Sequence, residues 1–160
     1  MKIFKLMIKG LHLILISLIL ILSCEKDDIC IEGSDNTNRI TIGFLDDKTK
    51  NPTGISLVNL KSIGNDSIIH ETFSGQSIKL PLKVNSTKTQ FLLDNNDLID
   101  TLTIYHQSIH QYLNRSCGYK SNFIINSQTE ITKQTGWIRE ISVIKDSIFN
   151  EEETNIFIHY

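Results

Sequence analysis

Two imidazoles four residues apart, His106 and His110, offer the first metal chemistry to test. On a helix that spacing would converge both rings on one ion. The flanks Thr101–Tyr105 and Tyr112–Arg115 read as strands, where four residues span about 13 Å. A turn between the two would still bring the rings together, with Asp97 or Asp100 as a third ligand for zinc or copper. Polar residues near a strand turn are the plainer reading. Asp94-Asn95-Asn96-Asp97 hints at calcium but lacks the Gly and distal Glu of an EF-hand loop, so a type I turn is expected. The carboxylates Asp46, Asp47 and Glu151 to Glu153 fall in predicted turns, and glycoside hydrolysis needs paired acids facing each other across a cleft. Neither a glycine-rich phosphate loop nor a G-x-S-x-G elbow is present, and no cofactor is expected. Trp137, after Gly136, reads as a core anchor rather than a sugar-stacking platform.

The elements that must position these residues are strands. The 160 residues include 27 Ile and 13 Thr but no Ala, so the best helix former is missing while strand formers abound. A formal charge of −2 leaves no electrostatic footprint for nucleic acid.

Residues 1–23 carry Lys2, Lys5 and Lys9 and no acid, followed by the apolar run Leu11–Leu22. Twelve helical residues span about 18 Å, short of a bilayer's hydrocarbon core, so a secretory signal is expected rather than a membrane span. The run ends in Ile21-Leu22-Ser23-Cys24, which resembles the lipobox of bacterial lipoproteins. That resemblance implies diacylglyceryl attachment to the Cys24 sulfur, cleavage after Ser23 and acylation of the freed amine with a palmitate-type chain. Glu25-Lys26-Asp27-Asp28 resembles the surface-export tag of some Gram-negative lipoproteins, with Lys26, Asp27 and Asp28 as its core. A solvated charged tether is the alternative. Cleavage would leave 13 basic against 18 acidic groups, a formal charge of −5.

With Cys24 a thioether, Cys30 and Cys117 have only each other in an oxidising compartment. A bridge between them would staple the tether's end to the domain. The competing reading is a reactive Cys117 paired with His110.

Along the mature chain, residues 31–38 are polar and turn-rich. Alternation then sets in: Ile40, Ile42 and Phe44; Ile55 and Leu57, shifting phase to Val58 and Leu60 as a bulge would; Ile68 to Phe73; Ile78, Leu80, Leu82 and Val84. Pro81 cannot donate to a ladder and places its strand at an edge or bulge. Thr89–Leu93, Leu102–Tyr105, Tyr112–Arg115, Lys120–Asn126, Trp137–Lys145 and Thr154–Tyr160 continue the pattern, separated by short polar turns. About ten period-two segments without a 3.6-residue stripe predict an all-β fold: a single antiparallel β-sandwich, Ig-like or Greek-key, with a small β-barrel as the alternative. The expected layout is a lipoprotein signal over 1–23, an acidic tether over 24–38 and the sandwich over 39–160.

Several segments together resemble a family of small bacterial lipoproteins whose domain has no known function. They are Asp28-Ile29-Cys30, Arg39 to Phe44, Leu80-Pro81-Leu82, Asp100 to Tyr105, Arg115-Ser116-Cys117-Gly118-Tyr119 and Trp137-Ile138 to Ile148. Membership implies secretion, a lipid anchor and a small β domain, and brings no activity. Gly43 stands where a larger residue is expected. Asp66-Ser67-Ile68, Asp100-Thr101-Leu102 and Asp146-Ser147-Ile148 resemble a bacterial O-glycosylation motif, with Ser67 the best placed.

The expected protein is thus a non-enzymatic envelope module, held to the outer membrane through Cys24 and facing the cell surface. Its partner is an envelope protein or glycan, with no nucleic acid and no metal. The rival is a small metal-dependent enzyme built on His106 and His110.

Overall fold

The structure, a computed structural model, describes Cys30 and residues 36–64, 67–133 and 136–160. The signal segment, Cys24, the Lys26-Asp27-Asp28 tag and Asp66 lie outside the described residues. Among the described residues there is no helix, as an Ala-free, Ile-rich chain requires. Eleven strands follow one another: β1 (Ile40–Leu45), β2 (Ile55–Ser62), β3 (Ser67–Gly75), β4 (Ser77–Leu80), β5 (Lys88–Asn95), β6 (Leu98–Asn114), β7 (Gly118–Ile125), β8 (Glu130–Lys133), β9 (Glu140–Val143), β10 (Ser147–Ile148) and β11 (Ile156–His159).

They form two open sheets, so the domain is a β-sandwich and not a barrel. The smaller has the order β4-β1-β11-β9 and the larger β10-β7-β6-β5-β2-β3, with β8 also paired to β6. The pairing is not wholly antiparallel as expected, because β1 and β11 run parallel, Ile42 opposite Ile156 and Phe44 opposite Ile158. Period two places Ile40, Ile42 and Phe44 inward from one sheet and Phe91, Leu93, Leu102, Ile104 and Phe123 from the other. All are at most 1% exposed and belong to one hydrophobic cluster. The rings of Phe44 and Phe73, one from each sheet, lie 6.3 Å apart. Trp137 is the expected core anchor: buried, its Nε1–H donates to the Leu93 carbonyl at 3.3 Å.

Several local expectations hold and others are corrected. A register shift between Val58 and Lys61 makes the expected bulge in β2, with Asn59 at φ 49°. Pro81 follows the last residue of β4, an edge strand. The loop Asn96-Asp97 has both residues left-handed, φ 52° and 68°, between paired Asn95 and Leu98. That makes it a type I′ hairpin and not type I, because only the primed turn matches the twist of adjacent strands. Residues 106–110 hold no turn. β6 runs unbroken for 17 residues because its two halves find different partners, β5 up to Tyr105 and β7 from His106 onward. The expected strand over Trp137–Lys145 shrinks to Glu140–Val143, since Trp137 and Ile138 lie in a loop.

That loop is held by Asp100, whose buried carboxylate accepts from the backbone N–H of Gly136 and of Ile138, both at 2.9 Å. β1 needs an outer cover too, since Thr41 and Gly43 are buried on the face away from the core. The 149–155 loop supplies it. Gly43 is explained here: a side chain would run into the ring of Phe157, its register partner on β11. Asn155, 1% exposed, locks the cover in place. Its Oδ1 accepts from Thr41 N–H at 3.1 Å, and its Nδ2 donates to the carbonyls of Lys145 and Ser147 at 3.4 and 3.3 Å.

Asn155→Leu keeps the volume but strips partners from buried backbone groups, so it should cost about 2–3 kcal/mol. Urea unfolding measures it, and a loss below about 0.5 kcal/mol, the range of ordinary surface changes, would contradict this role.

Candidate functional site

The richest concentration of polar side chains lies where the amino-terminal segment meets the sandwich. Residues 36–38 run beside β7: Asn38 N–H donates to the Ser121 carbonyl at 3.3 Å, and Ser121 N–H to Thr37 Oγ1 at 3.1 Å. Asn38 Nδ2 donates to Asn122 Oδ1 at 2.7 Å. Cys30 is bonded to Cys117 in the turn between β6 and β7, with Cα atoms 5.2 Å apart at a sequence separation of 87. This is the expected pairing, and it takes up the thiol that a Cys117–His110 nucleophile would need. Gly118 turns the chain there at φ 71°, a conformation that favours glycine.

Arg39 follows and forks onto Glu151: Nε donates to Oε1 at 3.0 Å and Nη2 to Oε2 at 2.8 Å, while Arg39 N–H also reaches Oε1 at 2.9 Å. Lys79 Nζ stands 3.5 Å from the same carboxylate. The Arg39 guanidinium, aided by its backbone N–H and by Lys79, lowers the Glu151 pKa to about 2. Around this pair opens a cleft of about 850 Å³, lined mainly by Asn36, Asn38, Lys120, Phe149, Asn150 and Glu152. Phe149 is 54% exposed at it. Amides, charges and one aromatic face suit a polar ligand.

The histidines of the metal reading are not brought together. Both lie on one face of continuous β6, four residues or about 13 Å apart along the strand. His106 is buried with its Nε2 2.8 Å from Thr89 Oγ1 and its ring edge-on to Phe123 at 5.3 Å. Burial lowers its pKa, and its Nδ1 has no hydrogen-bond partner. His110 Nδ1 is 2.9 Å from Ser121 Oγ. Asp100 is engaged with the Trp137 loop, and Asp97 sits in the far hairpin turn, where its N–H donates to Asp94 Oδ1 at 2.9 Å. Of the serine and threonine motifs, Ser67 is exposed at the start of β3, Thr101 is buried, and Ser147 is half-buried in β10.

A different cluster, which the sequence reading missed, gathers Asp47, Glu140 and His159, their ligand atoms within 4.8 Å of one another. Lys50 Nζ occupies its centre, 3.0 Å from Asp47 Oδ1, 3.8 Å from Glu140 Oε2 and 3.4 Å from His159 Nδ1. An ammonium only donates, so His159 Nδ1 accepts and Nε2–H donates to Ser142 Oγ at 2.9 Å. Lys50 therefore stands where a metal ion would sit and offsets one of the two carboxylate charges. It joins a turn to two strands far apart in sequence, and no spacing pattern could have announced it.

The architecture is that of a two-sheet β-sandwich with a disulfide-held amino-terminal strap. Residues 56–160 match the model of a family of unknown function, DUF6452, and the chain belongs to that family. No curated protein and no solved structure matches it.

Two outcomes follow from the strap. Reducing Cys30–Cys117 removes an 87-residue loop constraint from the unfolded chain and should lower stability by up to ~4–5 kcal/mol. Denaturation with and without reductant measures it, and two free thiols in oxidatively folded material would contradict the bridge. Because the folded Glu151 pKa is held near 2, below its ordinary value, the pair's stabilisation is complete at neutral pH and fades as pH falls from about 5 towards 2. Glu151→Gln should make that acid limb shallower, leaving the pH dependence that His106 and Asp46 contribute. An unchanged acid limb would refute the pairing's role.

Proposed function

We propose that this protein is a non-enzymatic, lipid-anchored module of the bacterial outer membrane, held by acyl chains on Cys24 and binding an envelope glycan or peptide in the cleft beside Arg39 and Glu151. The Cys30–Cys117 bond is the observation that carries the reading, because such a bridge belongs to an oxidising compartment. The Lys-rich leader, the apolar run and the lipobox-like Ile21-Leu22-Ser23-Cys24 supply the route there. Two or three acyl chains, at ~0.8 kcal/mol per buried methylene, make such an anchor effectively permanent.

The cleft favours an interaction role over catalysis. Its one strongly perturbed acid, Glu151, is locked to Arg39 and kept ionised, which suits fixed recognition of polar groups better than proton transfer. The metal-enzyme reading on His106 and His110 has no convergent ligand set on one straight strand. Lys26-Asp27-Asp28 supports display on the outer face, and Ser67 is the best-exposed residue for glycan attachment.

Cys24→Ala should yield uncleaved or soluble protein with no acyl mass; a variant still anchored and processed at the same residue would refute the anchor. On intact cells, added protease should remove the native protein, and changing Lys26, Asp27 and Asp28 to Ala should protect it at equal membrane yield. Equal protection of both would reduce the segment to a charged tether.

A further inference from the structure

Beyond His110 the β6–β7 hairpin has no third strand paired beside it among the described residues. β5 pairing stops at Tyr105, β10 covers only Phe123 and Ile124, and residues 37 and 38 bond Ser121, so among the described residues Gln111–Lys120 is paired strand to strand only within itself. The four residues Gln111–Asn114 of the β6 arm reach about 13 Å. At the end of the arm Tyr112 and Tyr119 face each other in register, ring centroids 5.2 Å apart, and are 53% and 69% exposed. Two large aromatic side chains left in solvent beside each other, each with a hydroxyl at its tip, have the chemistry of a water–lipid boundary.

Charge singles out the same arm. Of the chain's 18 acids none falls between residues 101 and 129, while Arg115 and Lys120 flank the tyrosines. The hairpin therefore brings cations and no carboxylate towards phosphate, in a mature chain that is otherwise acidic. The bridge also fixes where this end sits. Cys117 in the hairpin turn holds Cys30, and Cys24 lies six residues before Cys30, at most about 21 Å of extended chain.

We propose that the β6–β7 hairpin is a membrane foot, in which Tyr112 and Tyr119 enter the phospholipid headgroup layer beside the lipid anchor, with Arg115 meeting headgroup phosphate. The contact rests on the lipid-anchor reading above. The acids Glu25, Asp27 and Asp28 offset the arm's cations, so the aromatic pair, not net charge, provides the attraction and the anchor provides the proximity. The foot stands the sandwich upright: the hairpin turn faces lipid and the opposite end, with the 46–51 turn and Asn96-Asp97, faces away.

The test uses full-length acylated protein reconstituted in phosphatidylethanolamine–phosphatidylglycerol vesicles, with and without lipids brominated near the headgroup. Tyr119→Trp adds a reporter to buried Trp137, and Lys48→Trp places one in the 46–51 turn at the other end. The foot predicts that the added Tyr119→Trp emission shifts to the blue on reconstitution and is quenched at least about twofold more than that from Lys48→Trp. Equal emission and equal quenching of the two would overturn it. A blue shift that depends on protein density but not on brominated lipid would assign the tyrosines to a second copy and overturn it as well. Acyl mass on the same samples separates the two claims. Acylated protein with an unquenched reporter refutes the foot alone, and absence of acyl mass refutes the anchor and the foot with it.

Discussion

The parallel pairing of β1 with β11 is the constraint on which the rest of this structure depends. Ile42 and Ile156 are neighbours although 114 residues separate them, so the small sheet cannot exist until both ends of the domain have been folded back. The entropy of closing so long a loop grows slowly with length, but it is recovered only when the last strand arrives. Once β1 lies between β4 and β11, Ile40, Ile42 and Phe44 seal one side of the core. Its outer face then demands the 149–155 cover, and the entering chain is aimed along β7 towards Cys117.

Polar groups, buried at Asp100 and Asn155 and half-buried at Glu151, mark the joints of that closure. Asp100 fastens the Trp137 loop with two backbone hydrogen bonds, Asn155 fastens the cover of β1, and Glu151 fastens Arg39. Each is a residue type that, taken singly, suggests chemistry. In place, each has its lone pairs occupied by donors from distant segments, which is the condition for burying it without a heavy desolvation cost. Nearer the surface, Asp47, Glu140 and His159 share the cation Lys50. Satisfied groups of this kind position a surface, and the surface they position is the cleft and strap at the amino-terminal end.

Strap, hairpin and cleft form one functional end. The disulfide ties the incoming chain to the projecting hairpin, residues 36–38 add a partial strand beside β7, and Arg39 enters the sheet at the edge of the cleft. A chain that enters a domain from a rigid point holds that end of the domain in one orientation. The bridge provides that point. It places the cleft near the hairpin's root and the Lys50 cluster towards the opposite end of the sandwich.

Sequence alone determined the class of fold, because an Ile-rich, Ala-free chain with period-two alternation can bury its apolar residues only as strands. It pointed to the Cys30–Cys117 pairing, since with Cys24 read as a lipidated residue only those two thiols remain. It also determined the burial of Trp137 and the bulge in β2. Only tertiary structure decided which strands are neighbours, because alternation assigns a residue to a face and says nothing of what lies across from it. Hence the parallel β1–β11 pair, the continuity of β6 through His106 and His110, and the shortening of the strand after Trp137 were not legible. Gly43 made sense only beside Phe157, and Asn155 only beneath Thr41. The Arg39–Glu151 cleft and the Asp47–Glu140–His159 cluster join segments about a hundred residues apart, and only the folding back of both chain ends brings them together.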